Sequence, residues 1–214
     1  MPSPSTKGLP ANGLVDGLVA KIRQRIYFTP DNLVHSLHHF HDVMSRTPMA
    51  GKYWICGGML LGYAREGQLI KNDFDFDFHY WRDDTDALEQ TLEILQQSGF
   101  KKCFRWVNND GHTTEYVLVY REIKFEFFEA TRHEDRIRWY CYYHRPPRQF
   151  LNEVPAYELE SFEFYDRDWL KPDDQELYLE SLYGDWKTPS SDYTFYIDSN
   201  AIIQRDRWTG GNQW

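Results

Sequence analysis

The residues able to do chemistry in this chain concentrate in a few short stretches. The first is Asp73 to Tyr80, DFDFDFHY, where acid and aromatic alternate strictly. In an extended strand alternate side chains share a face, so Asp73, Asp75 and Asp77 project together while Phe74, Phe76 and Phe78 enter the core. Same-face neighbours stand about 6.5–7 Å apart along the backbone. Repulsion between carboxylates at a partly buried position disfavours their joint ionisation. A divalent cation removes that conflict, and an all-oxygen donor set suits Mg²⁺ or Mn²⁺. An edge strand with a solvated acidic face is the plainer alternative, but Asp is a poor strand former and Thr, Lys or Glu would serve better there.

Upstream, the apolar run KYWIC (52–56) stops at Gly57-Gly58, and the short helix-like MLLGYARE follows. Glycines allow a phosphate to approach the backbone, and a helix N-terminus offers free N–H donors with a favourable dipole. GGMLLG is neither GxGxxG nor a P-loop, which excludes the Rossmann and Walker readings. A Gly pair alone is most often a turn; this one gains meaning because Gly58 lies fifteen residues before Asp73. Arg65 in the same helix could hold a phosphate through a bidentate contact, or make a surface salt bridge. In KFEFFE, Glu126 falls on the face opposite Phe125 and Phe127. It could complete a metal shell, act as general base on an acceptor hydroxyl, or simply pair with Lys124. Glu129 falls on the other face, as a structural or exposed group.

The elements that must position these groups follow from periodicity and punctuation. Val15 to Phe28 reads as a short helix. A better one starts at Thr29 (N-cap) and Pro30, with Leu33, Leu37, Phe40 and Met44 as its apolar stripe. After the strand 73–80, Asp83, Asp84 and Thr85 offer caps for a helix carrying Leu88, Leu92 and Leu95 and closed by Gly99. Strand-like runs FKKCFRWV, TTEYVLVY, IKFEFFEA and IRWYCYYH come next, then one around YELESFEFY. The last helix begins at Asp173, with Glu176 in a capping-box arrangement, and ends at Gly184. Helices first and mostly strands after give an α+β order without regular βαβ alternation.

Composition bounds the function. The 214 residues suit one domain, taken as 14–214 behind a flexible leader at 1–13. A net charge of −9 provides no basic excess for a nucleic-acid groove. No apolar run is long enough to span a membrane, and the N-terminus lacks a signal-peptide core. The three cysteines have no CxxC spacing, so neither a disulfide framework nor a zinc knuckle is indicated. Aromatics make up 17% of the chain, and rings at that density build β-rich cores or line sites for sugars and bases. Trp106, Trp139, Tyr142, Tyr143 and Trp186 are open to either role. His35 and His39 stand at i, i+4 but lack an HExxH context, and Cys56 has no assignable His partner, so neither is read as a site.

The string WICGGMLLGYAREGQLIKNDFDFDFHY resembles the nucleotidyltransferase signature of strand, Gly-Gly, short helix and D-x-D strand. More narrowly, GGMLLGYAREGQLIKNDFDFD, KFEFF and the closing WLKPDDQELYLESLYGDWKTP are similar to the LicD/fukutin family, in order over about residues 33–190. The resemblance implies a nucleotidyltransferase-like fold, a mixed or antiparallel sheet with helices packed on it. It also implies a phosphotransferase that moves phosphocholine, ribitol phosphate or glycerol phosphate from a CDP-linked donor to a hydroxyl of a glycan or polysaccharide acceptor. Asp75 and Asp77 become the metal-binding D-x-D and Glu126 the third acid. Gly57, Gly58 and Arg65 would lie at the donor phosphates, Asp73 beside them, and Tyr183 to Trp186 would close or support the site. Gly58 in place of Thr or Ser, Lys71-Asn72 in place of Pro-Trp and Phe74 in place of an acid are departures that bear on the donor.

Two other functions share these motifs: a small-molecule adenylyltransferase using ATP, and a silent glycan-binding module that keeps the fold. The absence of signal and membrane segments favours a cytoplasmic protein acting in cell-surface polysaccharide synthesis. The soluble part of a luminal or membrane-associated enzyme would read similarly.

Overall fold

In a computed structural model the chain is described over residues 28–71, 73–190 and 192–213. The expected leader, and all of the Val15 helix except Phe28, lie outside these residues. Three strands form the centre. β1 (Tyr53–Ile55) pairs antiparallel with β2 (Asp75–Trp81), and β2 runs parallel to the long β5 (Ile123–His133). The other edge of β5 pairs with β4 (Thr113–Tyr120), which pairs with β3 (Lys101–Val107), and β3 takes the short β11 (Asn212–Gln213). Beyond Ala130, β5 changes partner. Thr131–His133 pairs with β6 (Arg136–His144), followed by β7 (Pro147–Pro155) and β10 (Ile202–Arg207) at the edge. Only β2–β5 is parallel among these pairings, so the sheet is mixed and the fold is α+β. A hairpin of β8 (Leu159–Glu163) and β9 (Asp168–Pro172) stands apart.

The aromatic half of the DFDFDF alternation builds the core. Phe76, Phe78 and Tyr80 are fully buried beside Phe125 and Phe127 of β5. Helix α1 (Pro30–Met44) lies over them, with Leu33, Leu37, Phe40 and Met44 buried as the stripe predicts. Its Thr29 side chain accepts from the Asn32 N–H. Phe40 sits 4.7 Å from Phe78 and 4.9 Å from Phe125, centroid to centroid. A ring buried like this contributes about 1.5–3 kcal/mol relative to exposure. Helix α3 (Thr85–Gln97) buries Leu88, Leu92 and Leu95 on the same side. The histidines of α1 serve the fold: His38, His39 and His41 bond the carbonyls of Tyr165, Ser98 and Asp168.

Some local expectations are corrected. The strand begins at Asp75, not Asp73. Asp73 closes a turn onto the Ile70 carbonyl, and Phe74 stacks on Phe28 at 4.3 Å instead of entering the sheet. Helix α4 (Gln175–Tyr183) is capped by Asp174, which accepts from the Leu177 N–H. Glu176 bonds Lys187 and makes no capping box. Four strands were missed: β7, β9, β10 and the two-residue β11. β7 carries Pro at both ends, where a missing N–H costs the ladder little, and β10 is an edge strand exposed at four of its six positions, without alternation. Among the described residues no helix is long and apolar enough to cross a membrane.

Candidate active site

Sheet register decides which residues meet. Because β2 and β5 are parallel neighbours, Asp75 lies opposite Lys124, Asp77 opposite Glu126, and His79 opposite Phe128. On the other side of β5, Glu126 faces Val117 of β4 and Phe128 faces Glu115, while Glu115 in turn faces Trp106 of β3. All these side chains share the face opposite the Phe core. The same face continues into the second half of the sheet, since Arg132 pairs with Ile137 and alternation then puts Trp139, Cys141 and Tyr143 on it. The result is a cavity of about 650 Å³, within the size range of small-molecule sites. It is lined by the acids Asp75, Asp77, Glu115 and Glu126, by Gly57 and Gly58, and by a wall of rings.

The acids leave no room for a side chain at Gly57 and crowd Gly58. Helix α2 (Gly57–Glu66) starts directly after β1, and Gly57 has φ +53°, a left-handed conformation. A Cβ on Gly57 would stand 2.3 Å from Asp77 Oδ2, and one on Gly58 2.2 Å from Asp73 Oδ2. The Gly58 N–H donates to Asp77, and the Cys56 N–H bonds the Asp77 carbonyl. The helix N-terminus is thus held directly against the acidic strand.

Burial and mutual repulsion push these acids toward protonation. Asp77 is raised well above the usual carboxylate range, first by burial and then by Asp75, Glu126 and Asp73. Asp73 is pushed up to about 8 by burial and by its hydrogen bond and charge interaction with Asp75. Glu126 is raised by burial, opposed by Lys124, whose Nζ lies 3.2 Å from its carboxylate. Glu126 thus makes the expected pair with Lys124 and also lines the cavity. Lys124 is the one lysine or arginine among the lining residues. His79 is fully buried and pushed down to about 4 by burial. Its Nδ1 donates to the Phe128 carbonyl, which leaves Nε2 to accept from the Tyr178 hydroxyl, so the ring is neutral and committed to the wall.

Asp75, Asp77, Glu126, Gly57 and Gly58 are brought together at this cavity, whereas Asp73 and Arg65 are not among its lining residues. Asp73 sits against the start of α2, and Arg65 has a buried Nε with no hydrogen-bond partner among the described residues. Trp106, Trp139, Tyr142 and Tyr143 line the cavity, while Trp186 is buried in the main core. Tyr183 of the YGDW segment lines the cavity as well. Glu115 and His79 were missed. Glu115 had the same signal as Glu126, an acid inside an apolar strand (TTEYVLVY), and is 5% exposed. Glu129, by contrast, is the structural group expected, buried with Arg82, His112 and Thr85 bonded to it.

Among the described residues no three His, Cys, Asp or Glu side chains are gathered as a metal cage; the acids are spread along β2, β5 and β4. By donor chemistry and charge the set fits a hard divalent cation: carboxylate oxygens, several acids in one buried space, and a single lysine to offset them.

Residues 51–172, more than half of the chain, match the family model described as LicD/FKTN/FKRP, nucleotidyltransferase domain. The match opens just before β1 and ends with β9, so it contains the Gly pair, the Asp strand and Glu126 but stops short of the YGDWKTP segment. None of the curated proteins matches the chain.

Proposed function

Because this chain belongs to the LicD/FKTN/FKRP family, we propose that it is a metal-dependent phosphotransferase acting from a CDP-linked donor on a glycan hydroxyl. Members of that family in general transfer phospho-alcohol groups to glycans. The transferred group would be phosphocholine, ribitol phosphate or glycerol phosphate, and residues 14–214 would act as one catalytic domain. One observation carries the reading: Asp75 and Asp77 stand in register with Lys124 and Glu126 directly beneath the glycine start of α2.

The chain's groups divide the work. Asp75, Asp77 and Glu126 would hold Mg²⁺ or Mn²⁺, which when bound would offset charge on the diphosphate and on the departing CMP. The N–H groups opening α2 that Asp77 does not take would bed the donor phosphates, with the helix dipole favouring negative charge there. Lys124 keeps Glu126 oriented and lowers the net charge of the acid face. Neutral His79 fixes Trp139, whose ring centroid lies 4.9 Å away. Trp106 and Tyr142 stack parallel at 5.0 Å and offer a flat apolar wall for a base or sugar face.

Calorimetric binding of CDP and of ATP, each with and without Mn²⁺, tests the reading on wild type and on Asp75→Asn/Asp77→Asn. Metal-dependent CDP binding that weakens by about 100-fold or more in the double variant is expected from loss of charge-assisted ligands. Preference for ATP would overturn it in favour of an adenylyltransferase. Absence of binding to either nucleotide would leave a silent glycan-binding module.

A further inference from the structure

Glu115 is an acid that the assignment of the metal and donor groups leaves without a task. It projects from β4 onto the acid-bearing face between Phe128 of β5 and Trp106 of β3, and all three residues line the cavity. It is 5% exposed, and burial with the charges of Glu126 and Asp77 favours its protonated form while the charge of Lys124 opposes them. A carboxyl group carried into a buried apolar strand near two other acids is unfavourable for folding, and a residue with only a packing role would be apolar there. Its position along the sheet is specific. Val117, not Glu115, stands opposite Glu126, so Glu115 is a diagonal neighbour of Glu126, about 7–8 Å away at backbone level. Asp77 is one strand further. Glu115 therefore lines the same cavity as Asp75, Asp77 and Glu126 but stands on the strand beyond Glu126.

We propose that Glu115 is the proton acceptor for the attacking hydroxyl, separate from the three acids of the donor side; this rests on the phosphotransferase reading. The hydroxyl oxygen forms a bond to the β-phosphorus of the CDP-linked donor, and its proton passes to the Glu115 carboxylate. The bond between that phosphorus and the bridging oxygen breaks, and CMP leaves with the electron pair. Glu115 then returns the proton to solvent. The division relieves Glu126 of two incompatible tasks, since a carboxylate donating its lone pairs to a cation is a weak base.

The test compares wild type, Glu115→Gln and Glu115→Asp in release of CMP from CDP-choline, CDP-ribitol and CDP-glycerol with Mn²⁺, water serving as acceptor. CDP affinity is measured alongside. Glu115→Gln is expected to lower kcat by about 100-fold or more while KM and the CDP Kd stay within about threefold, and Glu115→Asp to fall between. A kcat within about threefold of wild type would overturn the assignment. So would loss of CDP binding equal to that of the Asp75→Asn/Asp77→Asn variant, which would make Glu115 a donor-side ligand. Failure of wild type itself to bind CDP would instead remove the phosphotransferase reading. Independently of turnover, Glu115→Gln should melt at or above the wild-type temperature, because a buried carboxyl near two other acids is replaced by a neutral isostere. A clear fall would reveal a structural role and overturn the proposal.

Discussion

A methyl group added at Gly57 tests directly whether the start of α2 and the Asp strand are in contact. Two costs are expected for Gly57→Ala. The left-handed backbone at φ +53° disfavours an L side chain by about 1–2 kcal/mol. The new Cβ would also stand 2.3, 3.0 and 3.1 Å from Oδ2, Cγ and Cβ of Asp77, so the side chain cannot simply turn aside. Overpacking of this kind costs about 1–3 kcal/mol. Gly67→Ala isolates the first cost, because Gly67 has φ +65° with open space around it. Gly58→Ala isolates a milder clash: only Asp73 Oδ2 is close, at 2.2 Å with Cγ at 3.3 Å, and Ala is the better helix former by about 1 kcal/mol. Gly57→Ala should therefore be less stable than Gly67→Ala by about 2 kcal/mol, or about 4–8 °C in Tm for a chain of this size. Gly58→Ala should lie within about 1 kcal/mol of wild type. Thermal melts of the three variants read this order, and Mn²⁺-dependent CDP binding should be lost in Gly57→Ala as Asp77 is displaced. Equal melting of Gly57→Ala and Gly67→Ala would refute the packing of Asp77 on the helix start.

Two further perturbations probe the scaffold. Glu129→Gln, at a fully buried side chain bonded by Arg82, His112 and Thr85, should cost about 1–2 kcal/mol in chemical denaturation; the half-exposed Arg82 keeps the loss below that of a fully buried pair. Asp42 is held below the usual carboxylate range by its hydrogen bonds from Arg167. A depressed folded-state value means that its contribution is present at neutral pH and lost as pH falls through the carboxylate range. Asp42→Asn should flatten that acid-side fall in stability, and an unchanged pH profile would show the pair to be inert.

Sequence periodicity located α1, α3 and the strands from β3 to β6, because each carries an apolar face strong enough to declare itself. It failed where tertiary pairing supplies what the pattern lacks. β7 is flanked by β6 and β10 and so forms despite its terminal prolines; β10 has little apolar signal and exists because β7 offers it an edge. The capping of α4 moved by one residue because Asp173 is engaged elsewhere, its carboxylate accepting from the Glu158 N–H.

For the site, the chain alone determined that Asp75 and Asp77 share a face, that Glu126 lies on the polar side of an aromatic strand, and that Gly57-Gly58 stands where a helix begins. These are local facts, fixed by a side-chain period of two and by the conformational freedom of glycine. Only the tertiary structure decided that β2 runs parallel beside β5, which brings Asp77 level with Glu126. It also decided that Glu115 lines the cavity and that Asp73 and Arg65 do not. Which strands become neighbours is set by burial of the whole Phe-rich core, a sum over distant residues that no local pattern contains.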